Sequence, residues 1–275
     1  MCRLIGIIAS EPTEFGLVLH RAPRSLATLS REHPDGWGIA VWREEEREWT
    51  LHKGTAPAAR CKRFHEIAAR SRGRVLVAHI RQKTVGPTRL ENTHPFQRDG
   101  WVFAHNGTIK DLCPLHAGVS SARRAEITGD TDSELLFAFF LSRLDARGAT
   151  CLVDEASRRV AAAVLAEASA ELRDKSVGAF NFLLSNGATC FGHRFGRSLF
   201  LLERLPHDPV RERRDAGAGA AILTKWTARR HAVFVSSERI TDEPWQEVPD
   251  GTFFRIDREP SPIVHFGVGI DRVAS

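Results

Sequence analysis

Asn186-Gly187 sits between two short strand-like runs, AFNFLLS and ATCFGH, and this dipeptide is the strongest local constraint on the fold. A two-residue turn of the I′ type needs positive φ at both central positions. Asn and Gly tolerate that, and the twist of such a turn matches two antiparallel strands. The flanking runs are therefore expected to form a hairpin. Similar runs recur upstream: GWGIAVWR and EWTLHKG flank the charged turn EEER, and GRVLVAHIR and GWVFAHNG bracket a long polar loop. HAVFVSS, TFFRID and SPIVHFG add late strands. Helical periodicity shows in FGLVLHRAPRSL, DSELLFAFFLSRL and the Ala-rich VDEASRRVAAAVLAEASAELRDK. Strands, two consecutive helices and strands again predict an α+β fold of antiparallel sheets covered by helices, rather than an alternating parallel one. No repeat or linker divides the chain, so residues 1–275 are expected to form one domain. RERRDAGAGAAI reads as a loose surface loop.

A chain of 275 residues with 42% hydrophobic content can bury a substantial core. No apolar run approaches the length of a membrane span, and the N-terminus lacks a cleavable apolar region, so a cytoplasmic protein is expected, with no membrane partner. Five scattered cysteines, Cys2, Cys61, Cys113, Cys151 and Cys190, suggest neither a disulfide framework nor a thiolate zinc site. His33, His79, His94, His105 and His116 form no H-E-x-x-H or H-x-H motif, so packing or supporting hydrogen bonds are expected of them, not a metal. The net charge of +5 is arginine interleaved with acids, a solvated surface without the basic stripe that nucleic acid requires.

Cys2, directly behind the initiator methionine, is the least ordinary residue in this setting. It could simply begin the apolar strand CRLIGIIA. If Met1 is removed, however, Cys2 carries a thiol and an α-amine on one residue. An α-amine with a pKa of about 8 is partly neutral near pH 7 and can take the thiol proton directly or through one water.

Three further stretches bear on that choice. In HIRQKTVGPTRLENTHPF, Arg81 leaves a buried strand for a polar loop, where its fork suits either solvent or a carboxylate. In FAHNGTI, Asn106-Gly107 reads as a hairpin turn or as an oxyanion hole made by a side-chain amide and a backbone N–H. In GDTDSELL, Thr131-x-x-Glu134 fits a capping box, and Asp132 either sits in a charged first turn or faces a substrate ammonium.

The ordered set of terminal Cys2, HPDGWGIA, AHIRQKTVG, NTHPF, AHNG and TDSE resembles the class II glutamine amidotransferases of the N-terminal-nucleophile hydrolases, over nearly the whole chain. It is most similar to stand-alone members, including those that hydrolyse γ-glutamyl amides. The resemblance implies a four-layer αββα sandwich with the active site between its sheets and no cofactor. It implies Cys2 as the nucleophile and Asn106 with Gly107 as the oxyanion hole. Arg81 and Thr84 would hold the substrate α-carboxylate, Asp132 the α-ammonium, and His94 would support the site. The implied substrate is glutamine or a γ-glutamyl amide. The sugar-amidating branch has Thr-His-Gly where this chain has Thr84-Val85-Gly86, so one side-chain contact is absent. The familiar amidotransferases also carry a synthase domain that finds no room here, which makes a separate synthase subunit the expected partner of any coupled reaction. A non-catalytic binding protein of the same fold would have lost the nucleophile or an oxyanion group, and both are present.

Overall fold

The computed structural model describes residues 2–206, 212–214, 221–223 and 230–267, the two three-residue stretches by their backbone alone. In chain order the strands are β1 Arg3–Glu14, β2 Trp37–Arg43, β3 Glu48–Gly54, β4 Arg72–Ile80, β5 Phe96–Arg98, β6 Trp101–Ile109, β7 Gly178–Ser185, β8 Thr189–His193, β9 Phe200–Arg204, β10 Glu212–Arg214, β11 Ala221–Leu223, β12 Ala232–Ser236, β13 Gln246–Glu247, β14 Phe253–Asp257 and β15 Ile263–Phe266. The helices are α1 Leu26–Leu29, α2 Lys62–Arg70, α3 Cys113–Gly118, α4 Ser121–Ala125, α5 Asp132–Ala146 and α6 Glu155–Asp174. Among the described residues one sheet has the order β13-β9-β12-β1-β4-β2-β3, a second the order β15-β14-β8-β7-β6-β5, and β10 pairs only with β11.

Strand periodicity sorts the apolar residues into three buried interfaces. On β1, Leu4 and Ile8 point between the sheets and pack with Val75, Val77, Ala104, Leu183 and Val235. Ile5 and Ile7 point the other way, onto Phe15, Leu19, Leu26 and Phe64 beneath the short N-terminal helices. On the far side, Phe103 and Phe182 pack against Phe137 and Phe140 of α5, with ring centroids 5.2 Å apart for Phe103–Phe137 and 4.6 Å for Phe140–Phe182. Three interfaces separate four layers, helix, sheet, sheet and helix, as expected. Each fully buried side chain of this size contributes about 1.5–3 kcal/mol.

Local chemistry explains the individual elements. α5 is buried on nearly every side because the second sheet lies on one face and α3, α4 and α6 on others, which accounts for its run of phenylalanines. Its cap is half of the expected box: Thr131 Oγ1 accepts the Glu134 N–H at 3.2 Å, while the Glu134 carboxylate turns to Gly129 N, Thr128 N and Arg98. A hairpin forms between β7 and β8 as expected, but not on a I′ turn centred at Asn186-Gly187. Gly187 has φ +87° while Asn186 does not have positive φ, the turn runs from Asn186 to Thr189, and Asn186 Oδ1 accepts the Ala188 and Thr189 N–H groups.

Four expectations need correcting. FGLVLHRAPRSL is not one helix: a π-helical turn over Leu17–Arg21 stops at Ala22, which Pro23 forces into extended backbone, and α1 starts only at Leu26. GRVLVAHIR and GWVFAHNG, now β4 and β6, lie in different sheets, so the polar loop between them is a crossover. α2, read as no element in the sequence, buries Phe64 and Ala68. Within RERRDAGAGAAI, residues 212–214 and 221–222 pair as strands, and the rest lies outside the described residues.

Candidate active site

The order of the first sheet brings the two ends of the sequence signature together. β1 and β4 are neighbours with Arg3 opposite Ile80, so Cys2 emerges beside the first residues after β4. Its Sγ donates to the Gln82 carbonyl at 3.3 Å and accepts the Gln82 N–H at 3.4 Å. The Cys2 backbone is fixed by Arg3, whose guanidinium donates to the Cys2 carbonyl at 3.1 Å and pairs with Glu238 at 2.7 Å. Burial pushes the Cys2 thiol pKa up, the Gln82 N–H and the positive charge of Arg81 pull it down, and the negative charge of Asp132 adds to the rise. A raised pKa means that the thiolate is not preformed, so attack by this sulfur needs a proton acceptor close by.

Arg81 is buried and grips its own loop, donating to the carbonyls of Val85 at 2.7 Å, Gly86 at 3.2 Å and Pro87 at 3.0 Å. Asp35 ties the loop to the sheet. Its backbone N–H donates to the Arg81 carbonyl at 3.0 Å, and its carboxylate accepts the Lys83 N–H at 2.9 Å. Asn92 closes the far end by accepting the Asp130 N–H at 2.8 Å and donating to the Pro87 carbonyl at 3.0 Å. Thr84 is exposed on this loop.

Asp132 opens α5 and is already hydrogen-bonded. Its carboxylate accepts the Ile109 N–H at 2.7 Å and the Ser133 N–H at 2.9 Å, and Ser133 Oγ lies 2.8 Å from His105 Nδ1. Its negative charge works to raise the pKa values of Cys2, Arg81 and His105, against the lowering by burial in Arg81 and His105. Asn106 and Gly107 lie inside β6, paired with Asn181 and Phe180, so the hairpin-turn reading does not apply. The Asn106 side chain reaches across to the other sheet and donates to Ser237 Oγ at 3.2 Å. Gly107 has no room for a side chain: a Cβ there would lie 2.0 Å from the Ala179 carbonyl oxygen. That close approach gives this glycine a packing reason besides any part in chemistry.

His94 is buried, its ring 4.3 Å from that of His79 and 4.6 Å from that of Phe96. Burial and the neighbouring His79 hold its pKa well below the usual histidine value. It therefore sits as a neutral ring in the wall behind the site. Asp35 and Ser237 are not singled out by the sequence, although Asp35 lies in a signature stretch, HPDGWGIA.

Two antiparallel sheets with helices outside them, and a cysteine at the head of a central strand, define an α+β sandwich of the N-terminal-nucleophile type. Residues 1–260 match the family model described as glutamine amidotransferases class-II, and the chain belongs to that family. A Haemophilus influenzae protein provisionally named a glutamine amidotransferase is 28% identical over 92% of this chain and 91% of its own. A γ-glutamyl-hercynylcysteine sulfoxide hydrolase of Mycobacterium tuberculosis is 29% identical over 74% of this chain and 81% of its own. A solved Pseudomonas aeruginosa structure, described as a predicted glutamine amidotransferase, is 26% identical with a TM-score of 0.62, covering 93% of this chain and 97% of that one. The chain is thus an enzyme of the class that acts on amide C–N bonds. None of its helices is long and apolar enough to cross a membrane, among the described residues.

Proposed function

We propose that this enzyme hydrolyses the γ-amide of glutamine or of a γ-glutamyl conjugate through a γ-glutamyl thioester on Cys2. The observation that carries the reading is the seat of Cys2 Sγ against the Gln82 peptide, next to Arg81 and within the field of Asp132. Removal of Met1 exposes the Cys2 α-amine, which takes the thiol proton. The thiolate attacks the γ-carbonyl carbon, and the oxyanion is held by the Asn106 amide and the Gly107 N–H. The C–N bond then breaks, with the amine leaving on the proton carried by the α-amine. Water, deprotonated by the same amine, attacks the thioester and releases glutamate and the Cys2 thiol. Arg81 and Thr84 take the substrate α-carboxylate, Asp132 takes the α-ammonium, and His94 supports the wall behind them.

The leaving group is the finer question. The similarity to a hydrolase named for γ-glutamyl-hercynylcysteine sulfoxide favours an amine larger than ammonia. The family's name, on the other hand, describes transfer of the amide nitrogen, which is the reading with a separate synthase subunit. The test is kcat/KM for glutamine against a panel of γ-glutamyl peptides and thiol conjugates, with and without candidate synthase proteins. Faster cleavage of at least one conjugate than of glutamine is expected. A preference for glutamine that rises when a synthase is added would overturn the hydrolase reading in favour of the coupled one.

A further inference from the structure

Ser237 Oγ joins the backbone of β1, which follows Cys2, to the side-chain amide of Asn106 through two hydrogen bonds. The register of β1 against β12 places Ile5 opposite Ser236 and hence Leu4 opposite Ser237. An ordinary antiparallel ladder would continue there with two backbone hydrogen bonds. One is present, from Ser237 N–H to the Leu4 carbonyl at 3.1 Å. The other is diverted: the Leu4 N–H donates to Ser237 Oγ at 3.1 Å, while the Ser237 carbonyl accepts Ser198 Oγ at 3.0 Å. The same Oγ accepts Asn106 Nδ2 at 3.2 Å from the opposite sheet. A hydroxyl has two acceptor positions, and both are filled. Ser237 is 1% exposed, so water does not compete for them.

We infer that Ser237 is a positioning residue for the oxyanion donor. It does not touch the reacting atoms. It takes one of the two Nδ2 hydrogens of Asn106, which fixes the amide plane and aims the other hydrogen in one direction. Through the Leu4 N–H it refers that direction to the strand that carries Cys2 two residues upstream. An oxyanion donor is useful only when it is already aimed at the developing charge, so this link acts on the chemical step and not on substrate capture. The neighbouring hydroxyl supplies the contrast, because Ser236 Oγ donates to the Leu4 carbonyl at 3.4 Å and accepts the Glu238 N–H at 3.3 Å, and so meets β1 and Glu238 but not the Asn106 amide.

This inference rests on the thioester reading, and the experiment separates the two. Ser237→Ala, Ser237→Thr, Ser236→Ala and Asn106→Ala, and the double variant Asn106→Ala/Ser237→Ala, are compared with wild type for kcat and KM on the best γ-glutamyl substrate. Alkylation of Cys2 by a diazo-ketone analogue of glutamine and thermal unfolding are followed in parallel. Ser237→Ala is expected to lower kcat about tenfold with little change in KM, part of the roughly hundredfold or more that losing an oxyanion donor costs. Ser237→Thr, which keeps the acceptor, should recover most of it, and Ser236→Ala should stay within about twofold. In the Asn106→Ala background, Ser237→Ala should cost almost nothing further in kcat while still lowering the unfolding temperature. A full tenfold loss in that background, or an equal loss in Ser236→Ala, would make Ser237 merely structural and overturn the inference alone. A wild-type enzyme that neither cleaves γ-glutamyl amides nor labels at Cys2 would overturn the thioester reading and the inference together.

Discussion

Asp132 Oδ2 accepts the Ile109 N–H at 2.7 Å, so the carboxylate proposed to hold the substrate ammonium also ties the end of β6 to the start of α5. The two duties respond to different substitutions. Asp132→Asn keeps an oxygen for only one of the Ile109 and Ser133 N–H groups and removes the charge; it should raise KM severalfold or more, with a smaller change in kcat and a stability loss of about 1–3 kcal/mol for the N–H left facing the new amide. Asp132→Ala leaves both buried N–H groups without a partner and should destabilise more, by about 1–3 kcal/mol for each. Steady-state kinetics together with urea unfolding separates these outcomes. A wild-type KM in Asp132→Asn would remove this residue from the binding site.

The cysteines make the second prediction. Cys2→Ala should abolish turnover, as should a protein that retains Met1, because nucleophile and base belong to one residue. Intact mass of the active protein should lack Met1. Cys61→Ala, Cys113→Ala, Cys151→Ala and Cys190→Ala should leave catalysis largely intact. Cys113 and Cys151 are exposed and should react with general thiol reagents, whereas burial pushes the Cys190 thiol up to about 12 and should protect it. The glutamine-like diazo-ketone, guided by its head group, should label Cys2 selectively. Full activity in Cys2→Ala would end the thioester mechanism.

Part of this arrangement was legible because Cys2 and Arg81 stand at strand ends and Asp132 at a helix start, where side-chain alternation, loop chemistry and capping are readable; Asn106, inside β6, was read from its dipeptide. Cys2, Arg81, Asn106 and Asp132 could be named from their stretches alone, although what each does stays a proposal. What was not legible depends on contacts distant in sequence. Ser237 meets Leu4 across 233 residues, and nothing about a serine after an apolar strand announces that. The two Asn-Gly dipeptides make the same point. Asn186-Gly187 turns the chain, while Asn106-Gly107 continues through Thr108 and Ile109 as strand, because β7 pairs alongside all four residues. The crossover after β4 was hidden for the converse reason: adjacency in sequence suggested a pair, and the topology placed the two strands in opposite sheets.

Arg81 and Asn106 should separate capture from chemistry. Arg81→Lys exchanges a planar fork for a single ammonium, which cannot hold the Val85, Gly86 and Pro87 carbonyls together and still present two N–H groups to a carboxylate. It should raise KM by about tenfold or more. Asn106→Ala should instead lower kcat by roughly a hundredfold, about 3 kcal/mol of transition-state stabilisation, with KM little changed. An Asn106→Ala enzyme altered only in KM would exclude its amide from the oxyanion hole.

The last prediction concerns acid sensitivity well above the range where carboxylates titrate. His79 and His193 are fully buried, and burial holds their pKa values down to about 3 and about 4. Positive charge adds to this, from His105 at His79 and from Arg173 at His193. In the unfolded chain each returns to about 6.5. Below that value the unfolded state binds a proton that the folded state refuses. Stability is therefore full above about pH 6.5 and falls as the pH drops towards the folded pKa values. Each histidine contributes a slope of about 1.4 kcal/mol per pH unit in this window, so each costs roughly 2 kcal/mol by pH 5. Urea unfolding at pH 7.5, 6.5, 5.5 and 5.0 should show a plateau and then a decline. His193→Gln, which lies away from Cys2 and cannot titrate, should decline less steeply than wild type. Equal stability at pH 7.5 and pH 5.0 would mean that these rings accept protons in place, and that the core tolerates the charge.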